Sequence, residues 1–199
     1  LSKNHRWPEE ILCELEKVQG QKWITGNWEN GFLWSLDDPE MYPVIQGIPV
    51  FVPPPGQRWP PLSIWEMRQE KWIQRSWIHR SSELLAERSD LERFTKEMAE
   101  KEGLILDIAS GPGGGFAPGI LHANPEASIL MSDLGLGVLM EWQSFLKDKE
   151  IPNVSFAVFD ANQMPIRSGS IDAVSDVWGL NEIGSPDAPR ECYRVLRKG

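Results

Sequence analysis

Cysteine is almost missing from this chain: 199 residues hold two, Cys13 and Cys192. Two cysteines so far apart exclude a disulfide scaffold and fit a reducing compartment. No excess of basic charge is present either, since the formal net charge is −9 and acid outnumbers base in both halves. That removes the global electrostatic footprint of a nucleic-acid binder. There is no apolar run long enough to span a bilayer, and no signal-type apolar stretch at the start. The expectation is a cytoplasmic protein with no membrane partner. The chain opens on Leu1 rather than Met and closes on Leu196-Arg-Lys-Gly199, and it reads as an excerpt of something longer. What is there is a 41% hydrophobic content, enough for one sizeable core and a small appendage.

Residues 1–52 hold short apolar runs separated by Gly, Asn and Asp: Lys22–Thr25, Gly31–Trp34 and Val44–Val52. Such punctuation predicts a small β-rich module. The run Pro53–Pro61 follows, and because proline fixes φ and lacks an N–H donor, 53–61 reads as a linker. From Leu62 to about Gly103 apolar residues recur at helical spacing, giving two helices with a break near Ser89-Asp90. Trp65, Arg68, Trp72 and Arg75 share one face there, with Lys71, His79 and Arg80 nearby. That stripe would suit RNA, but core-facing tryptophans with snorkelling arginines are the preferred reading.

Beyond Gly103 strands and helices alternate. Strands are predicted at Leu104–Ile108, Ser128–Asp133, Val154–Asp160 and Ile171–Val177. Helices are predicted at Phe116 to about Ala123, Leu136–Lys149 and Pro189–Leu196. This βαβα order predicts an α/β, doubly wound, Rossmann-like fold with a mostly parallel sheet and right-handed crossovers. Its last strands are missing from the sequence, so the fourth strand would be left as an edge.

In such a sheet the ligand lies beyond the carboxyl ends of the strands. The first strand runs into Asp107-Ile-Ala-Ser-Gly-Pro-Gly-Gly-Gly115, whose glycines allow a tight turn and close approach of backbone to ligand. Asp107 before the turn would repel a pyrophosphate yet suit a cationic group, which counts against a nicotinamide-dependent reductase. Asp133 ends the second strand, where a carboxylate can accept both ribose hydroxyls. Asp160 and Ala161 end the third and suit an adenine ring with its amino group. The acids stand 26 and 27 residues apart, one strand–helix repeat each, so they should line one crevice.

Asp107-Ile-Ala-Ser-Gly-Pro-Gly113 resembles the glycine-rich first motif of class I S-adenosylmethionine-dependent methyltransferases, with Ala109 and Ser110 where many members carry Gly and Cys. Asp160–Val174 is similar to the stretch D-A-x-x-L-P-F-x-x-x-S-F-D-x-V of the type 11-like subgroup, which acts on small molecules, lipids, quinones and some RNA. Pro189–Gly199 resembles that subgroup's E-x-x-R-V-L-K-P-G-G segment. The resemblance implies S-adenosyl-L-methionine as cofactor. Its methionine part would lie by Asp107, Ala109, Gly111 and Gly113, its ribose by Asp133 and Leu134, and its adenine by Asp160 and Ala161. Asp176, Trp178, Asn181 and Glu182 fall where the family places substrate and methyl-transfer contacts. Asp176 and Glu182 are the candidate bases, and Trp178 could wall the cationic methyl. Asp172 reads as a surface residue. The acceptor implied is a small molecule, with RNA second and a homo-oligomer conceivable. The other class of function is a non-catalytic relative that senses cofactor or acts by interaction.

Residues 8–52 carry another resemblance. Glu40–Phe51 is similar to the Y-P-I-x-D-G-I-P-V-L segment of the small zinc-ribbon domain found alone or fused to methyltransferases. Where that domain has two C-x-x-C pairs, this chain has Cys13 with Glu16 and Ser35 with Asp38. One thiolate cannot make a structural zinc site, so the expectation is a metal-free ribbon with Trp23, Trp28 and Trp34 as core.

Overall fold

The computed structural model describes residues 30–35, 38–51, 89–151 and 153–198. Several expectations therefore lie outside the described residues: the strand at 22–25, the linker 53–61, the first cap helix with its Trp/Arg stripe, and Cys13, Glu16, Trp23 and Trp28 of the ribbon.

The chain is first organised as an antiparallel sheet of β1 (Asn30–Ser35), β2 (Asp38–Ile45) and β3 (Ile48–Pro49). Ile45 pairs with Ile48 across Gln46-Gly47, whose φ angles of 51° and 79° are those of a two-residue primed turn. Such turns match the right-handed twist of the strands they join.

Helix α1 (Ser89–Ala99) then leads into the parallel sheet of β4 (Leu104–Ile108), β5 (Ser128–Asp133), β6 (Val154–Val158) and β7 (Ala173–Asp176). Helices α2 (Ala117–Ala123), α3 (Leu136–Asp148), α4 (Gly179–Ile183) and α5 (Asp187–Val195) connect or follow these strands. The strand order is β6-β5-β4-β7, all parallel. The strands are mostly apolar because both faces are covered, and their apolar side chains divide between two cores. Ile105, Ile129, Met131 and Phe156 join Ile120, Leu139 and Trp142 on one face. Leu106, Leu130 and Ala157 join Met164, Ile171, Ala188 and Val195 on the other. The doubly wound α/β fold read from the sequence is the fold observed.

Details differ from the expected boundaries. The fourth strand covers only 173–176, because Ile171 instead bridges Leu196 and Asp172 turns to a clamping task. The Asp172 carboxylate accepts the Leu104 N–H at 2.8 Å and an Arg197 Nη1–H at 2.6 Å, pinning the start of β4. Helix α4 was not anticipated. The hairpin also reaches the parallel sheet: Val50 bridges Val158, and the Phe51 N–H donates to the Val158 carbonyl at 2.8 Å. Ile48 and Val50 are buried in one core and Val44 in the other.

Two of the sequence motifs are stitched together. The Glu191 carboxylate accepts the Met164 N–H at 2.8 Å and pairs with Arg194. Arg194 in turn donates to the carbonyls of Ile166 at 2.6 Å and Met164 at 3.0 Å. A planar guanidinium serves this purpose because its fork of donors reaches several acceptors at once.

Candidate active site

In the order β6-β5-β4-β7, β5 and β6 lie on one side of β4 and β7 on the other, so the winding reverses between β4 and β7. A crevice opens at such a reversal, beyond the carboxyl ends of the strands. Asp107, Asp133, Asp160 and Asp176 all stand at or just past those ends.

Asp107 is completely buried beneath the glycine loop. Its Oδ1 accepts the Phe116 N–H at 3.2 Å and the Ser175 hydroxyl, and its Oδ2 accepts the Ser110 hydroxyl at 2.7 Å. Ser175 arrives there because β7 runs in register with β4, Asp107 opposite Ser175. Burial raises the carboxyl to about 7 against the pull of these donors. Enclosed by these protein groups, Asp107 ties the loop to β7.

The loop is braced from two further directions. The Asp133 carboxylate accepts the Gly111 N–H at 2.9 Å and the Gly135 N–H at 2.8 Å, and it is 7% exposed. Burial raises its pKa, and the backbone donors hold it down. The Trp142 indole N–H of α3 donates to the Gly111 carbonyl at 2.9 Å. Gly115 must be glycine: its φ is +54°, and a Cβ would stand 2.1 Å from Asp107 Oδ2. Gly113, Leu134 and Asn162 are half-buried at the same end of the sheet, and Ala161 is buried.

Asp160 Oδ1 accepts both the backbone and the side-chain N–H of Asn162, each at 2.9 Å. Asn162 Oδ1 is buried and has no hydrogen-bond partner.

On the β7 side, Asp176 is half-buried and accepts the Leu180 N–H at 3.1 Å, capping α4. Burial raises its pKa as well. Trp178 follows with φ +72° and 73% exposure, an uncommon conformation for a bulky residue. Ala109, at φ +48°, approaches Gly179 so closely that a Cβ there would lie 2.4 Å from its methyl. Methyl and glycine thus close the two walls of the crevice on each other. Asn181 and Glu182 are exposed on α4, farther along the same segment.

The sequence-predicted residues 107, 109, 111, 113, 133, 134, 160 and 161 therefore gather at one end of the sheet, with 176, 178 and 182 on the segment that follows β7. Sequence reasoning missed Ser175, Trp142, Asn162 and Gly179. No local pattern marks the first two, whose partners lie 68 and 31 residues away.

A family model described as a methyltransferase domain matches residues 105–199. The ubiquinone/menaquinone biosynthesis C-methyltransferase of Pseudomonas aeruginosa is 30% identical over 112 residues, covering 54% of this chain and 44% of that protein. The malonyl-[acyl-carrier protein] O-methyltransferase of Laribacter hongkongensis is 32% identical over 105 residues, covering 47% and 33%. The chain thus spans less than half the length of the curated relatives it matches. A crystal structure of a candidate S-adenosyl-L-methionine-dependent methyltransferase from Methanococcus maripaludis superposes with a TM-score of 0.51 at 18% identity, covering 74% of this chain and 64% of that one. Among the described residues no helix is long and apolar enough to cross a membrane, and no group of His, Cys, Asp and Glu is placed to hold a metal. Residues 105–199 are thus similar in sequence to a methyltransferase-domain family, and the fold is the Rossmann-like one that the Methanococcus maripaludis structure shares.

Proposed function

We propose that this protein binds S-adenosyl-L-methionine in the crevice between β4 and β7 and transfers its methyl group to a small-molecule acceptor. The observation that carries the reading is the line of carboxylates closing successive parallel strands, Asp107, Asp133 and Asp160, over a loop braced on both its N–H and carbonyl sides. The residues fit the cofactor. Asp133, with lone pairs beyond its backbone donors, takes the ribose hydroxyls, flanked by Leu134. Asp160 and Ala161 take the adenine. Ala109, Gly111 and Gly113 bring bare backbone close to the methionine part, and Asp107 acts from beneath by holding that loop.

When bound, the cofactor supplies an electrophilic methyl on a sulfonium. The protein's part is to align an acceptor in line with it and exclude water. Trp178 offers an exposed π-face at the acceptor side, suited to a cationic methyl. Asp176, half-buried and with its pKa raised by that burial, is our candidate to take the acceptor's proton. Glu182 is the more exposed alternative. The relatives' names supply a small organic acceptor or a carrier-bound acyl group as the class to screen first. For residues 8–52 we keep the metal-free ribbon reading, supported by the sequence resemblance and the antiparallel β1–β3 sheet; stoichiometric zinc in the purified protein overturns it.

Calorimetric titration of S-adenosylhomocysteine into the chain tests the proposal. A dissociation constant on the order of micromolar, lost in a folded Asp133→Ala variant, is the expected result. No binding to a folded wild type would leave the non-catalytic alternative standing.

A further inference from the structure

Strands β4 and β7 leave the sheet side by side, with Ile108 paired to Asp176. Within two residues each chain adopts the left-handed conformation, Ala109 at φ +48° and Trp178 at φ +72°. The other two non-glycine residues with positive φ among those described, Gln46 and Glu150, sit in the turns that follow β2 and α3. A residue with a side chain holds that conformation only where its surroundings impose it. For Ala109 the constraint is visible on both sides. Ile108 is held in the ladder to β7, the Ser110 N–H donates to the Ser132 carbonyl at 2.9 Å, and the Gly111 N–H donates to Asp133. With its neighbours fixed, the Ala109 methyl meets the opposite wall of the crevice at Gly179. Gly179 is not itself left-handed and is glycine for room: a Cβ there would overlap the Ala109 methyl and lie 2.6 Å from Asp176 Oδ1. Trp178 is fixed through its backbone, its carbonyl accepting the Glu182 N–H at 3.1 Å, while its ring is 73% exposed. The ring therefore stands where the contact between Ala109 and Gly179 puts it.

We infer that Ala109 is a positioning residue: its methyl, seated against Gly179, sets where the Trp178 ring stands at the mouth of the crevice and carries movement of the glycine loop to it. The part of the inference that concerns a ligand rests on the cofactor reading above, whereas the contact itself does not. Close-packed groups transmit a displacement rather than absorb it. A ligand pressing on the backbone at 109–113 thus moves the segment 178–182 in step. Glycine at 109 would open a gap the size of a methyl group and let the two walls move independently. The loop as a whole would stay in place, because Asp107, Asp133 and Trp142 hold it from other sides.

Fluorine NMR of the full chain carrying 5-fluorotryptophan is the test. The resonances lost in Trp178→Phe and in Trp142→Phe identify a reporter on each wall, since the Trp142 indole is bonded to the Gly111 carbonyl. Without ligand, Ala109→Gly should displace or broaden the Trp178 resonance and leave that of Trp142 where it was. Ala109→Ser, which returns a Cβ to the contact, should restore the wild-type spectrum. Saturating S-adenosylhomocysteine should move both resonances in the wild type and only that of Trp142 in Ala109→Gly. A ligand-free Trp178 resonance that is the same in wild type and Ala109→Gly overturns the inference. So does a Trp142 resonance displaced as far as that of Trp178, the mark of a loop loosened throughout, and so does a wild type in which ligand moves Trp142 alone. If the ligand moves neither resonance in the wild type, the cofactor reading falls, and the ligand-free spectra still decide whether Ala109 places Trp178.

Discussion

Replacing Asp107 by asparagine isolates the energetic consequence of burying a carboxyl under the loop. Folded, Asp107 titrates at about 7, against an ordinary value of 3.8. The native state therefore holds the proton more tightly than the unfolded chain. Wherever the native state binds more protons, stability falls as pH rises. Each unit between the two values corresponds to about 1.4 kcal/mol, so moving from pH 5 to pH 8 should remove about 3 kcal/mol through this group alone. Asparagine has no proton to lose. Its oxygen can keep the Ser175 hydroxyl and the Phe116 N–H, and its amide can donate to Ser110, whose hydroxyl already lies 3.2 Å from the Asp107 carbonyl. Urea unfolding of both proteins from pH 5 to pH 8 should show the variant gaining about 3 kcal/mol on the wild type. Asp133 titrates in both and cancels in the difference, whereas Asp176, whose charge helps raise Asp107, cancels only in part. Parallel stability curves would refute the argument, because they would mean that the hydroxyl and amide donors fully offset the burial.

Gly115→Ala, which brings a Cβ to 2.1 Å from Asp107 Oδ2 at φ +54°, should cost about 3 kcal/mol or more, whereas Gly169→Ala, at φ +69° with open space around it, should cost about 1. Thermal unfolding of the pair separates clash from backbone strain, and equal losses would contradict the geometry. Arg194→Ala, which strips Glu191 of its partner and two carbonyls of their donor, should destabilise by about 2 kcal/mol or more. A denaturation midpoint unchanged from wild type would show that the stitch between 164–166 and α5 is energetically idle.

The parts of the fold legible in the sequence are those set by local pattern. Ile105, Leu106, Ile129, Leu130 and Met131 lie in short apolar runs, which is how strands buried on both faces read. The acid closing each strand and the glycines after Asp107 gave the crevice, because repeat length alone stacks Asp107, Asp133 and Asp160 at one end. Cross-strand register was not legible, and with it the enclosure of Asp107: nothing near residue 107 reveals that Ser175 will sit opposite it. Trp142 was not singled out in the helix predicted at Leu136–Lys149, since a single N–H bond to Gly111 leaves no periodic trace. Helix α4 was missed because five residues carry too little periodicity, and its start is set by Trp178 and Gly179 packing against Ala109. Asp172 read as surface because its partners, Leu104 and Arg197, lie 68 and 25 residues away.

The bridge from Val50 and Phe51 to Val158 bears on where the cooperative folding unit begins. A fragment trimmed to start at residue 105 would strip the outer side of β6 of its hydrogen-bonding neighbour and unroof the apolar surface that Ile48 and Val50 cover. A naked, apolar strand edge recruits other chains. The hairpin is thus this sheet's protection against self-association, and the Phe51 amide should exchange its hydrogen as slowly as those of the strands it joins.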